Sequence, residues 1–171
     1  MEYARLIKER YSVRKFSEQP VDDAKLAAIL GAGRLSPTAV NKQPYRILVL
    51  RGAENMKKLE TCTPYTFGAP LALAVCAKAD EAWVRPYDNQ NSCFIDAAIV
   101  GTHLMLAIHD QGLGSTWVGH FDPAAFRAVF KLPDDLEPVA LFPVGHLAAD
   151  ARPASLHGKR RSLDETVVYL D

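Results

Sequence analysis

The chain has 171 residues, 49% of them hydrophobic and 23% charged, the balance of an ordinary globular protein long enough to bury a core of its own. Twenty basic residues cancel twenty acidic ones, so no global field favours nucleic acid or an anionic membrane surface, and any anion site has to be local. The cysteines, Cys62, Cys76 and Cys93, are odd in number and share no metal-type spacing, and the N-terminus is not signal-like. Reduced thiols in a cytoplasmic protein are therefore expected.

Residues 2–9 read as a short helix with Leu6 and Ile7 turned inward. The basic stretch RYSVRKF at 10–16 follows as loop or extended chain. With Arg10, Ser12 and Arg14 at alternate positions, an extended backbone points all three the same way. Asp22 is placed to cap a second helix, whose Leu26, Ile29, Leu30 and Gly33 fall at i, i+3, i+4, i+7 and which ends near Arg34. Residues 36–44 (SPTAVNKQP) are a loop stiffened by Pro37 and Pro44. A strand is expected at 45–50, a weaker helix at 53–62 with Met56 and Leu59 on one face, and an apolar strand buried on both faces at 70–77.

Residues 79–92 are irregular. The strongest helix spans about 94–111, apolar almost all round as a central helix would be. Asp96, His103 and Asp110 recur every seven residues as one polar stripe, and Ala97 and Gly101 would let another backbone come close. His103, His109 and Asp110 interrupt its apolar run, so no membrane span is expected. Gly112-Leu113-Gly114 stops it before a short strand at 115–118. Asp122 and Pro123 open a helix carrying Phe126, Val129 and Phe130. After an apolar strand at 138–145, a polar surface arm covers 148–158. Ser162 and Glu165 then stand at capping-box spacing before a last short element. Mixed helices and strands without repeats or a linker imply α+β content around one sheet, in one domain over 1–171.

Three donors on one face of the basic stretch suit a phosphate or another fixed anion, and the alternative is a solvated basic run. Lys159-Arg160-Arg161 is either a solvated arm or a second basic knot closing on the same dianion. The polar groups of the 36–44 loop, Thr38, Asn41 and Gln43, suit a planar heteroaromatic ligand with Pro37 as an apolar edge, or belong to a plain loop. Gly112, Gly114 and Gly119 are not a dinucleotide fingerprint, because they end a helix and precede a strand. They form a tight turn, or one that brings backbone N–H groups close to something flat or anionic. His103 and His109 are six apart where a metal pair on a helix needs four, and no GxSxG elbow accompanies any serine. Asp96 reads as a buried hydrogen-bonding group rather than an acid catalyst. No metal and no catalytic side chain are assigned.

The ordered set R-x-S-x-R-x-F at 10–16, S-P-T-A-x-N-x-Q-P-Y at 36–45, G-L-G-S-T-W-V-G at 112–119 and H-G-K-R-R-S-L-D-E-T-V-V-Y at 157–169 resembles the flavin-dependent nitroreductase family over nearly the whole chain. The resemblance implies an α+β nitroreductase-like fold, a central mostly antiparallel sheet flanked by helices, in an intertwined homodimer with FMN at the subunit interface. By position, Arg10 and Ser12 would meet the FMN phosphate and ribityl chain, with Tyr11 between them among the cofactor contacts and Arg160 completing the phosphate clamp. Arg14 would lie near the pyrimidine edge of the ring. Pro37, Thr38, Ala39 and Asn41 would approach from the partner subunit, and Trp117, Val118 and Gly119 would line the ring. Ala39 lacks a hydroxyl found in many relatives, Tyr45 stands where tryptophan is common, and Gly119 matches the short members. Little room is left between Ala79 and Asn91 for the insertion that covers the pocket in larger members.

The implied activity passes hydride from NADH or NADPH to flavin N5 and on to a small acceptor such as a nitroaromatic or quinone, by a ping-pong mechanism. The alternatives are flavin storage or sensing without turnover, or a specialised chemistry such as reductive dehalogenation or flavin fragmentation.

Overall fold

A computed structural model describes residues 2–170. Four strands form one sheet: β1 (Tyr45–Arg51), β2 (Leu71–Ala77), β3 (Gly114–Ser115) and β4 (Glu137–Gly145), in the order β1-β2-β4-β3 with antiparallel neighbours. The helices are α1 (Tyr3–Glu9), α2 (Asp23–Arg34), α3 (Ala53–Glu60), α4 (Cys93–Asp110), α5 (Pro123–Phe130) and α6 (Leu163–Thr166). The expected α+β class and mostly antiparallel sheet are borne out.

All seven residues of β2 are buried, because helices cover both faces of the sheet. Successive side chains of a strand point to opposite faces. Leu71, Leu73 and Val75 accordingly join Ala140, Phe142 and Val144 of β4 in a core shared with α2 and α4. Ala72 and Ala74 join Leu50, Leu141, Met56, Leu59 and Phe126 on the side of α3 and α5. The β2–β4 register shifts between Val75 and Cys76.

The basic stretch extends the sheet beyond β3. The Val13 N–H donates to the Ser115 carbonyl at 2.9 Å, and Ser12 bridges Ser115 in parallel. Further on, Phe16 bridges Leu147 antiparallel and the Ser17 N–H donates to the His146 carbonyl at 2.9 Å. Val13 is buried, which leaves its neighbours Ser12 and Arg14 to face outward.

The Asp122 cap is observed, its Oδ1 accepting from the N–H groups of Ala124 at 2.9 Å and Ala125 at 3.0 Å. Glu165 accepts from both the N–H and the hydroxyl of Ser162, as the capping-box spacing predicts. Asp22 occupies the N-cap position of α2 without a side-chain bond to it.

Several expectations are corrected. Ile7 is 48% exposed and α1 buries no residue, because that helix packs on one side only, against α4. The strand expected at 115–118 shrinks to β3, with Val118 making one isolated bridge to Leu141. The 36–44 loop contains a 3-10 turn at Ala39–Asn41. Asp96, by contrast, is the buried hydrogen-bonding group expected of it, accepting from the Ala39 N–H of that loop. Gly101 receives side chains rather than a backbone: a Cβ there would stand 2.8 Å from both Phe142 Cζ and Trp117 Cζ3. Finally, α4 is central along one face only, since Phe94 and Ile95 are about half exposed. By length and composition α4 alone among the described helices could cross a membrane, yet Ala97, Val100, Leu104 and Ile108 are buried against the sheet and α2.

Candidate functional site

The extended course of the 10–16 stretch sets Arg10, Ser12 and Arg14 on one side of a cavity of about 220 Å³, and the C-terminal arm closes its other side with Ala154, Leu156, His157 and Arg160. The two basic segments recognised in the sequence, at opposite ends of the chain, thus meet. Of the three consecutive cations at 159–161, only Arg160 lines this cavity, held by bonds from its Nη1 to the carbonyls of His157 at 2.6 Å and Lys159 at 2.7 Å. Tyr11 is not among the lining residues; its ring stands edge-on to His157, centroids 6.0 Å apart, and so braces the arm.

Burial, and secondarily the charge of Arg160, pull the pKa of Arg10 below the ordinary guanidinium value. Two mutually repelling cations held beside a hydroxyl, in a cavity with no carboxylate in its described lining, suit a bound dianion, which converts the repulsion into attraction. The same field reaches the end of α4. Burial, and then the charge of Arg10, pull the pKa of His109 below the ordinary histidine value, and its Nε2 is buried without a partner among the described residues.

Arg14 also lines a second cavity, of about 240 Å³, so the two compartments adjoin at one side chain. Trp117, Val118 and Gly119 line it, opposite Tyr65 and Phe67. Trp117 is fixed edge-on against Phe142 at 5.0 Å and rests over Gly101 of α4. A Cβ at Gly119 would meet only Trp117 Nε1, at 3.9 Å, so this part of the backbone is open to a flat ligand. His120 completes the wall; its ring stands edge-on to Tyr65, centroids 5.3 Å apart and planes at 88°.

Tyr65, Phe67 and His120 were not identified from sequence. Tyr65-Thr66-Phe67 lies between α3 and β2 with no periodicity. Thr63 helps to show why it faces residue 120: its hydroxyl donates to the His120 carbonyl at 2.7 Å and accepts from the Tyr65 N–H at 3.3 Å.

Pro37, Thr38, Ala39 and Asn41 line neither cavity. Their loop is fastened at the N-terminal end of α4, where Asp96 Oδ1 accepts from the Ala39 N–H at 2.9 Å. Arg10 acts on His109 near the other end, thirteen residues on, or about 20 Å at the helical rise. Within one chain the loop and the cationic cavity therefore stand at opposite ends of α4. The loop is preformed nonetheless. Val40, Asn41 and Gln43 adopt positive φ, and the Gln43 N–H donates to Thr38 Oγ1 at 2.9 Å. Among the described residues no cluster of His, Cys, Asp and Glu could hold a metal ion.

The sequence profile of the nitroreductase family matches residues 7–65 and 61–146. A solved nitroreductase family protein of Clostridium difficile is 37% identical, with a TM-score of 0.92 over 99% of this chain and 98% of that one. A protein of Methanothermobacter thermautotrophicus, provisionally named an NADH dehydrogenase/NAD(P)H nitroreductase, is 28% identical over 100% of this chain and 87% of its own length. The FMN reductase [NAD(P)H] of Bacillus subtilis is 22% identical over 98% of this chain and 72% of its own.

Proposed function

This chain belongs to the nitroreductase family, and on that premise we propose that it is an FMN-dependent oxidoreductase using NADH or NADPH to reduce a small acceptor, and that it works as a homodimer. The observation that carries this reading is the pair of adjoining cavities, one cationic and one aromatic, with Arg14 common to both. FMN has that division, a phosphate at one end and a flat heteroaromatic ring at the other.

Arg10, Ser12 and Arg160 hold the phosphate, each charge-assisted bond contributing about 1.5–3 kcal/mol. Arg14 lies between phosphate and ring and sets positive charge at the ring's polar edge. Trp117, Val118 and Gly119 bound the ring, with Trp117 locked by Phe142 so that the wall is formed before the ligand arrives. When bound, FMN would supply the redox chemistry, taking hydride from a nicotinamide and giving it to a nitroaromatic or quinone in separate ping-pong half-reactions. The chain's own share is to bind, orient and exclude water.

A partner subunit would bring the 37–41 loop to the ring, since within one chain that loop lines neither cavity and the cationic cavity lies towards the other end of α4. The apolar surface left on α1, on Phe94 and Ile95, and on the tail at Val168, Tyr169 and Leu170 supports such a partner. Cys62, Cys76 and Cys93 are free and buried, and burial pushes the Cys76 thiol up to about 12, which suits a reducing cytoplasm.

The test is anaerobic titration of the purified protein with NADH and with NADPH. Yellow protein bleached by one nicotinamide and recoloured by a quinone is the expected result. Yellow protein that neither nicotinamide bleaches would mean flavin holding without turnover. Colourless protein that takes up no FMN overturns the reading.

A further inference from the structure

Resting on that reading, we propose that His120 is a specificity-determining residue that donates a hydrogen bond to an oxygen of a flat aromatic acceptor lying over the ring pocket. The lining of the aromatic cavity is poor in groups that can perform this task. Arg14 is shared with the cationic cavity and Thr116 is buried, which leaves the imidazole of His120, the phenol of Tyr65 and the indole N–H of Trp117 as polar groups of the lining, and of these the His120 imidazole is an exposed head on the loop after β3.

Three contacts set His120 in place. The Thr63 hydroxyl binds its carbonyl, the Tyr65 ring stands edge-on to its imidazole, and the Asp122 N–H donates to the Cys62 carbonyl at 2.9 Å on the same pair of loops. The loop after α3 and the loop after β3 are thus fastened together at the point where His120 projects. The side chain itself is exposed, and among the described residues no hydrogen bond engages either ring nitrogen, so a donor is available to a ligand. Gly119 beside it leaves the approach open. An apolar, aromatic wall with His120 as a directional donor at its rim selects a planar ring bearing a carbonyl oxygen, a quinone, over an unsubstituted arene.

The test uses the FMN-loaded, oxidised protein without nicotinamide, titrated with duroquinone and followed by perturbation of the flavin absorbance. His120→Phe keeps an aromatic ring against Tyr65 and removes the donor; His120→Gln returns one. The expected result is duroquinone binding about five- to tenfold weaker in H120F and partly restored in H120Q, the range of one net hydrogen bond. The thermal midpoint should stay that of the unaltered protein, H120F should still load FMN, and the imidazole nitrogen resonances of His120 should move on duroquinone addition. Equal duroquinone binding in H120F, unmoved imidazole resonances, or loss of FMN affinity in H120F each overturn the assignment. Failure to load FMN at all is seen before any quinone is added; it overturns the proposed function, and this inference with it.

Discussion

Gly114 lies directly beneath Val13: a Cβ built on the glycine would stand 2.7 Å from Val13 Cγ2 and 2.8 Å from Val13 Cβ. That contact lets the basic stretch lie flat along β3, with Val13 inward and Arg10, Ser12 and Arg14 outward. Gly114→Ala should therefore cost about 1–3 kcal/mol of stability by overpacking and also weaken FMN binding, because the displaced strand carries the cradle. Gly112→Ala makes the contrast. Gly112 has φ +71° and open space around it, so its substitution should cost about 1–2 kcal/mol in backbone strain yet leave FMN affinity alone. Denaturant unfolding and FMN titration of both variants check this; equal FMN affinities in the two would detach Gly114 from the site.

Arg10 and Arg160 predict opposite effects with and without the anion. In the empty protein each guanidinium works against the other, so Arg160→Ala should leave thermal stability unchanged or slightly higher. FMN affinity should fall by about 1.5–3 kcal/mol in Arg10→Ala and in Arg160→Ala. The double variant should lose less than the sum, since both residues act on one phosphate. The checks are thermal melts without FMN and fluorescence titration with it. Unchanged affinity in both single variants would remove the clamp.

Most of this site was legible because its residues announce themselves locally. Alternation in RYSVRKF places three polar side chains on one face once the segment is extended, and β3 makes it extended. The capping signals at Asp122 and Ser162, and the double-sided burial of the strand now seen as β2, are likewise properties of short windows. What sequence could not reveal was which faces meet. The inward turn of Ile7 failed because helical periodicity identifies an apolar face without identifying its cover. The approach of a backbone to Gly101 failed because a missing side chain does not say what fills the space, and here Trp117 and Phe142 do. Tyr65, Phe67 and His120 were invisible because two loops from distant parts of the chain build that wall through the Thr63 hydroxyl.

Asp96 ties the ring-side loop to the rest of the fold. It is 2% exposed, accepts from the Ala39 N–H at 2.9 Å, and accepts from Ser92 Oγ at 2.8 Å. Asp96→Ala leaves both donors unpaired in a buried place and should cost about 1–3 kcal/mol. Asp96→Asn retains one oxygen for Ala39 and can turn its amide towards the Ser92 hydroxyl, so it should lose far less. Hydrogen exchange at residues 38–43 should quicken in the alanine variant and stay slow in the asparagine variant. If the loop serves a partner's ring, FMN affinity should follow the same order. Equal exchange in all three proteins would show that the prolines and the Thr38 bond hold the loop without Asp96.

His109 should make the empty protein sensitive to acid. Burial first, and the charge of Arg10 second, hold its pKa below the ordinary histidine value, against smaller opposing pulls from Glu9 and Asp110. The unfolded chain therefore binds a proton at a pH where the folded chain does not, so stability rises with pH through this window. The contribution is complete above the unfolded value, about 6.5, and is lost as pH falls towards the folded one. Protonation would also place an N–H on the buried Nε2, where no acceptor stands among the described residues. Thermal midpoints from about pH 7.5 to about pH 5.5 should fall more steeply in the unaltered protein than in His109→Gln. Arg10→Ala should flatten the curve as well, and so should saturating FMN, whose phosphate would offset the Arg10 charge. Parallel curves for the unaltered and H109Q proteins would show that the imidazole does not report the field of the cationic cavity.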